Sequence, residues 1–469
     1  MSGFSPQEDV MIDLFIRNAK AVDGTSVSEE NLCVDKGKIV GKVSRSVQIE
    51  ARTTIDAEGR FVVPGAVDSH CHIGQLPGTG HYRPQATKAD NFRTETASSL
   101  YGGTTTALNY MFSESSYETT IGEYAKWVNE ASMIDMKLHG GLLSQLHIDN
   151  LPLYIKKLGL TSFKIFLPYK GEEAHKLGGL NSLSDGQVLE AFAVLKKFNA
   201  LPIVHCENPD LIDYYMAKNQ RAADQSLVAW ESTRPAIVES ESANKILYFA
   251  TKIGNRVAIA HVSAGDTVDM IEKYRSINPV LETCPHYLAL SSDMDLGSLG
   301  KVSPPIRSKR DQNRLWEAIE EYPLVMIGSD HNAWLKRHKN ELWNGFAGLP
   351  NNAFILPVLF TEGFGKRKLS VSRIVQVSSE NAARQVGLYP RKGSLAVGSD
   401  ADIVIMDTGI KKTITPEELG SISDYSPFTG YEFTAWPHTV IARGEIAISE
   451  GRRPEQYRKA SLLNVIRRS

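Results

Sequence analysis

No stretch of these 469 residues is apolar for long enough to span a bilayer, and the opening MSGFSPQEDV has neither a basic start nor an apolar run of signal-peptide length. The expectation is a cytoplasmic protein with no membrane partner. Cysteine is scarce: Cys33, Cys71, Cys206 and Cys284 lie far apart with no C-x-x-C pair, which argues against a disulfide framework or a structural zinc knuckle and for buried, reduced thiols. An excess of positive charge is also lacking. With 52 Lys and Arg against 54 Asp and Glu, the formal net charge is -2, and nucleic acid is not an expected partner. No repeat or low-complexity segment stands out.

What is present is an ordinary globular composition, 42% apolar and 23% charged. The length would make roughly three average domains, but one α/β barrel alone takes about 250 residues, so one large and one small domain is the better division. From Met11 to Pro64 the texture is strand-like: LFIRNAKAV, then NLCVDKGKIVGKV with a turn at Asp35-Lys36-Gly37, then TTIDAEGRFVV. The tail repeats it, with ADIVIMD after Gly398 to Asp400 and HTVIARGEIAISEG folding back at Arg443-Gly444. The two ends, 1–64 and 386–469, are expected to pair into one small β-sandwich.

Between them, over 65–385, short apolar runs alternate with segments of helical period. Eight runs are found: FVVPGAVDSHCH, TTTALNY, MKLHGGL, TSFKIFL, LPIVHCE, RVAIAHVS, PVLETCPHY and LVMIGSD. Eight such units predict a closed (β/α)8 TIM barrel of α/β class rather than an open sheet. Two helices are readable, one opened by a Ser184–Gln187 capping box ahead of VLEAFAVLKKF, the other in DQNRLWEAIEEY. The Gly- and Pro-containing stretch from Gly74 to Asn91 reads as a long active-site loop.

His70 and His72 stand two apart on the first strand, so both rings leave one face and can grip one metal ion, although two bare histidines are also read as surface or core residues. Further polar residues sit where strands end: Lys164, His205, His261 and Asp330. Barrel enzymes place their chemistry at that end. An ammonium at Lys164, between Phe163 and Ile165, is costly to bury and repels metal ions. Carboxylation by carbon dioxide would turn it into an anionic carbamate able to bridge two divalent ions; snorkelling or pairing with an acid is the plainer alternative. Two zinc-like ions about 3.5 to 4 Å apart acidify a water and polarise a carbonyl, which is machinery for hydrolysis. Asp330 can bind one ion and carry the proton to the leaving nitrogen.

The segments GAVDSHCH, SFKIFLPYKG, IVHCENPDLI, AHVS, ETCPHYLAL, SPPIRSKRDQNRLW, IGSDH and SLAVGSDADIVI occur in an order that resembles the cyclic amidohydrolases of the amidohydrolase superfamily, most of all hydantoinases and dihydropyrimidinases, from about Met11 to Arg452. The resemblance implies hydrolysis of a small cyclic amide by two divalent ions, zinc or manganese. It assigns His70, His72 and Asp330 to one ion, His205 and His261 to the other, and carboxylated Lys164 to both. It also implies that Tyr169 hydrogen-bonds the substrate carbonyl and its oxyanion, that Ser303 and Asn344 bind the ring through backbone atoms, and that the protein forms a homo-oligomer, a tetramer or dimer. Gly74 stands where dihydroorotases carry an arginine, so dihydroorotate is disfavoured. His286 in CPHYL is allantoinase-like, Pro168 in FLPY departs from the usual hydantoinase string, and allantoin stays open as a substrate. His286 itself is expected to pack or to lie beside the substrate. A mononuclear deaminase would not need Lys164, and a non-enzymatic scaffold relative would have lost the ligands that this chain retains.

Overall fold

The computed structural model describes residues 11–74, 87–170, 180–452 and 460–463. The opening segment forms β1 (Ile12–Val22), β2 (Val27–Asp35), β3 (Lys38–Ser44), β4 (Ala51–Asp56) and β5 (Phe61–Pro64). Eight parallel strands follow: β6 (Ala66–Cys71), β7 (Thr104–Met111), β8 (Asp135–Leu142), β9 (Ser162–Phe166), β10 (Leu201–His205), β11 (Ala258–Ile259), β12 (Val280–Thr283) and β13 (Val325–Ile327). The tail adds β14 (Ile403–Asp407), β15 (Trp436–Ala442) and β16 (Glu445–Ile448).

The strands of both ends join one hydrogen-bonded sheet in the order β16-β15-β14-β5-β1-β2-β3, with β4 on β1. The ends meet where β14 runs antiparallel to β5, Val404 opposite Val63. Both expected hairpins form. Lys36 and Gly37 have φ of 48° and 74°, Arg443 and Gly444 of 50° and 82°, the paired positive values of a two-residue turn whose twist matches the strands. The two tips pack together so closely that a side chain on Gly444 would meet the Cα of Gly37. Leu14, Ile16, Leu32, Val34, Val62, Ile403 and Ile405 fill the sheet's own core.

The expected first barrel strand is two strands. Its FVVP half belongs to the terminal sheet and only Ala66–Cys71 enters the barrel, because the backbone changes partner at the break: Gly65 donates to the Asp402 carbonyl and Ala66 to that of Gly103. The expected loop from Gly74 to Asn91 is also shorter. Thr87 and Asp90 form a capping box, and the helix Lys88–Tyr101 begins there. His81, Tyr82, Arg83 and His175 lie outside the described residues. The Ser184–Gln187 box and the helices Asp185–Lys197 and Lys309–Glu321 form as expected. Among the described residues no helix is long and apolar enough to cross a membrane.

Val67, Leu108, Leu201, Ile203, Ala258, Val280 and Met326 pack the interior of the barrel toward the strands' starting ends, so it is a filled core and its open mouth lies at the strands' far ends. The barrel closes between β6 and the segment after β13, where Asp330 donates to the His70 carbonyl (2.8 Å) and His72 to that of His331 (3.0 Å). Barrel and terminal sheet are joined by a buried ion cluster. Lys392, 1% exposed, reaches Asp135 at the start of β8 (2.6 Å), Asp402 just before β14 (2.6 Å) and Asp400 (2.9 Å). The lysine occupies the point where the three carboxylates converge, so these acids are an ion-pair network rather than a cation site.

Removing one partner of a buried ion network leaves the others uncompensated, at a cost of about 3–5 kcal/mol. Lys392→Met is therefore expected to lower the denaturant midpoint substantially while leaving the mouth of the barrel intact. An unchanged midpoint would show that the cluster does not hold the two parts together.

Candidate metal centre and active site

The barrel seam brings three side chains to one point. His70 Nε2 lies 3.2 Å from His72 Nε2 and 3.2 Å from Asp330 Oδ1, and His72 Nε2 lies 3.2 Å from the same oxygen. Ligands 2.0–2.1 Å from a tetrahedral zinc are themselves about 3.4 Å apart, so this spacing suits one divalent ion. Two ring nitrogens and a carboxylate oxygen aimed at one another, mostly buried, are a donor set rather than a packing accident. Lys164 Nζ extends it, 3.3 Å from His70 Nε2 and 3.4 Å from His261 Nε2.

On the second side the His205 and His261 rings meet edge to face at 4.3 Å. His205 Nε2 is engaged by Glu207 at 2.8 Å, which leaves Nδ1 as the nitrogen for a ligand. Nδ1 of His261 is buried without a hydrogen-bond partner, and its Nε2 faces the lysine. This half has two imidazoles and an amine but no oxygen donor of its own. A carboxylate on Lys164 would supply one, so the residues present fit two ions once that lysine is modified.

Electrostatics favours the ligand forms. Burial, reinforced by Lys164, holds His70 far below the ordinary imidazole pKa, and burial with His205 and Lys164 does the same to His261. Both rings are neutral, as metal binding requires. Burial lowers Lys164 to about 8 against the pull of Glu282 and Asp330. For Asp330, burial alone would raise the carboxyl, but the hydrogen bond and charge of His72, with Lys164, bring it below the usual range.

Two of these residues sit in strained backbone. Asp330 has φ of 48° and His261 of 38°, a region that non-glycine residues rarely occupy and that costs of the order of 1–3 kcal/mol. Buried acids hold them there. Asp68 Oδ1 accepts from the backbone N–H of Ser329 (2.8 Å) and of His70 (3.0 Å), and its Oδ2 from the Ser329 hydroxyl (2.6 Å). Glu282 Oε1 meets His70 Nδ1 at 2.5 Å and the His261 N–H at 3.3 Å, while Oε2 accepts from Ser69. One carboxylate thus orients a ligand from each side.

Above the centre opens a cavity of about 850 Å³. Tyr169, Ser303 and Asn344 all line it. The Tyr169 ring stands edge-on to His205 at 5.5 Å, close to the centre. The Lys301 and Val302 carbonyls are taken by Gly348 N–H and Trp230 Nε1, whereas among the described residues nothing uses the backbone of Ser303. Asn344 is exposed at the rim, its amide on Glu341. His286 is buried outside the cavity wall, its Nδ1 2.6 Å from the Asn351 amide nitrogen, so packing is its place. Cys71 and Cys206 are buried beside ligands; Cys71 Sγ turns to Asn109.

The reading of the sequence missed Asp68, Glu207, Glu282 and Asn351. Glu282 left a signal, an acid in the middle of the apolar run PVLETC. Asn351 left none: its amide donates to Ser329 O (2.9 Å) and its N–H to His331 Nδ1 (3.0 Å), bracing the turn that carries Asp330.

An eight-stranded parallel barrel with four imidazoles, a carboxylate and a buried lysine at its mouth is a hydrolase-type barrel whose donor set fits divalent cations. A model of the amidohydrolase family matches residues 61–447, and the chain belongs to that family. It is 30% identical over 457 residues to a protein named L-hydantoinase of Paenarthrobacter aurescens, covering 94% of this chain and 95% of that one. It is 31% identical over 458 residues to a D-hydantoinase of Geobacillus stearothermophilus, covering 93% of each. A solved structure of L-hydantoinase (dihydropyrimidinase) from Arthrobacter aurescens aligns with a TM-score of 0.88 at 28% identity, over 97% of this chain and 100% of that one. A dihydropyrimidinase from Brevibacillus agri aligns at 0.84 and 28%, over 94% and 95%.

Partners that orient a ligating histidine typically change metal affinity 10–100-fold. Glu282→Gln keeps the shape but weakens the acceptor on His70, and is expected to lower zinc affinity by about that factor in chelator competition. Unaltered affinity would reduce Glu282 to a packing role.

Proposed function

We propose that the protein opens a cyclic amide, a hydantoin or dihydropyrimidine ring, by adding water across its C–N bond. The convergence of His70, His72, Asp330 and Lys164 within 3.4 Å contacts beneath a cavity that Tyr169 and Ser303 line carries this reading. Two divalent ions, zinc or manganese, are assigned to His70, His72 and Asp330 on one side and His205 and His261 on the other, with Lys164 shared. When bound, they supply Lewis-acid polarisation of the ring carbonyl and an acidified water.

Lys164 takes up carbon dioxide: its neutral amine attacks the carbon, a proton leaves, and an anionic carbamate remains. A pKa near 8 keeps part of the amine neutral at ordinary pH, which favours that step. Asp330 accepts a proton from the attacking water and passes it to the ring nitrogen as the C–N bond breaks. Tyr169 donates its phenol hydrogen to the carbonyl oxygen as charge develops there. Ser303 offers an unused backbone N–H and C=O that match the donor and acceptor of a ring amide, and Asn344 borders the entrance. The product is a ring-opened carbamoyl acid. A homo-oligomeric, cytoplasmic enzyme is part of the same reading.

Zinc- or manganese-loaded protein prepared with bicarbonate is expected to open hydantoin or dihydrouracil. Allantoin turnover alone would move the assignment to an allantoinase, and dihydroorotate should not react. Lys164→Ala should lose metal and activity together, with partial rescue by a small carboxylic acid; full activity in that variant would refute the shared-lysine centre. Tyr169→Phe should keep its metal and lose about 10²–10³ in kcat, the usual loss for one oxyanion donor.

A further inference from the structure

Lys339 is fully buried and, among the described residues, makes no ion pair; its ammonium lies behind the cavity, against carbonyls of residues that line it. Its three N–H donors meet three backbone carbonyls, those of Lys301 (2.7 Å), Gly348 (2.7 Å) and Phe346 (3.2 Å). Donor capacity and acceptors match one for one. The carbonyls come from two separate walls. Lys301 precedes Val302 and Ser303, while Phe346 and Gly348 belong to the irregular loop that packs beside them, and all of these residues line the cavity.

A second lysine repeats the stitch within this layer. Lys301 Nζ donates to Gly345 O at 2.6 Å and approaches Trp343 O at 3.4 Å. The walls also touch directly, Gly348 N–H donating to Lys301 O at 3.1 Å. Gly348 has φ of 125°, and a side chain there would collide with Trp334, whose Nε1 donates to Ala347 O at 3.0 Å and whose ring stacks on Phe346 at 4.4 Å. Carbonyls 343, 345, 346, 347 and 348 are thus occupied by side-chain donors, which no turn or strand of the loop would otherwise satisfy. Burying an ammonium is costly, and placing it here fixes the separation of two backbone walls and nothing nearer the metal ligands.

We infer that Lys339 is a positioning residue for substrate binding: by clamping the carbonyls of Lys301, Phe346 and Gly348 it holds the Ser303 backbone at the distance that a ring amide requires. The inference rests on the reaction proposed above for the meaning of Ser303. It says that Lys339 acts on affinity for the ring, not on the bond-breaking step, since it touches neither the ligands nor Tyr169.

Lys339→Met removes the three donors while keeping the length of the stem. Hydrogen bonds to a charged donor are worth about 1.5–3 kcal/mol, so KM for hydantoin or dihydrouracil is expected to rise about 10–100-fold, with kcat within about threefold and metal content unchanged. Amide hydrogen exchange in the holoenzyme should quicken in 301–303 and 345–348 together. Lys339→Arg, which keeps the charge but spreads its donors in a plane, should not restore KM. Unchanged KM and unchanged exchange in Lys339→Met overturn the inference, as does a loss confined to kcat or to bound metal. Should that variant fail to accumulate, Lys301→Met cuts the link to Gly345 and Trp343 together with the ammonium's contact over the Trp230 ring, leaves the Lys339 clamp in place, and should show the same KM-specific loss more weakly; a normal KM there also overturns it. If the wild-type protein opens no ring, the proposed reaction fails, and exchange in the two walls then decides the clamp by itself.

Discussion

The site depends on how the barrel closes. β6 and the segment after β13 are far apart in sequence, and the hydrogen bonds from Asp330 to His70 O and from His72 to His331 O are what make them neighbours. Each bond involves a residue of the donor set, so the seam and the metal centre are one construction. Asp68 reinforces it by accepting from both sides, from His70 on one strand and Ser329 on the other. Because the turn at Asp330 is held in the left-handed region, its carboxylate is placed by the backbone before any ion arrives. Strain of this kind persists only where surroundings over-determine it, and here Ser329, His331 and Asn351 all do so.

Charge is distributed to match. The mouth gathers imidazoles and an amine whose charged forms burial disfavours, together with the carboxylates of Asp330 and Glu282. Glu282, raised to about 8 mainly by burial despite Lys164 nearby, lies at the same depth as the lysine it influences. Neutral donors around an enclosed space favour a cation brought from outside over an internal salt bridge. The opposite solution appears at the far end of the barrel, where Lys392 itself neutralises Asp135, Asp400 and Asp402 and leaves no vacancy for a cation. The two clusters share residue types and differ in whether the countercharge is built in.

Much of this was legible in the sequence, for a physical reason. Parallel strands covered on both faces read as continuous apolar runs; His70, His205, His261 and Asp330 interrupt those runs at or just past their ends, and Lys164, expected at a strand end, stands in the middle of β9, where a purely structural strand has no use for it. What could not be read depends on partners distant in sequence. Glu207, Glu282 and Asp68 acquire meaning only when the fold places them behind ligands, and Asn351 is defined by backbone groups around residue 330. Local misreadings have local causes. Lys88, Asp90 and Asn91 are polar and Ala89 alone sets no apolar period, so only the Thr87–Asp90 cap marks the helix start. The apolar run from Phe61 to His72 continues through Gly65 without showing that its hydrogen bonds change partner there.

The cavity has two kinds of surface, and on the reaction proposed above they would select different features of a substrate. Its floor is polar: on that same reaction, the donor set, Tyr169 and the backbone of Ser303, which no described residue uses, would address an amide and a carbonyl, groups common to every cyclic amide. Its outer wall is aromatic, with Trp230, Trp334, Trp343 and Phe346 on or beside the loop that the two lysines hold. A ring bound to the floor as proposed would point its substituent at that wall. Relatives named for either hand of hydantoin stand at nearly the same distance from this chain, so overall similarity carries no information about handedness. Handedness is a matter of which way a substituent leaves the ring, and with the ring held by backbone atoms as proposed, the shape of the outer wall would discriminate. Rigid aromatic faces do so by exclusion, which requires the loop bearing them to keep its position. Fixing that loop through its own carbonyls, rather than through side chains that would occupy the cavity, leaves the aromatic surfaces free to face the substrate.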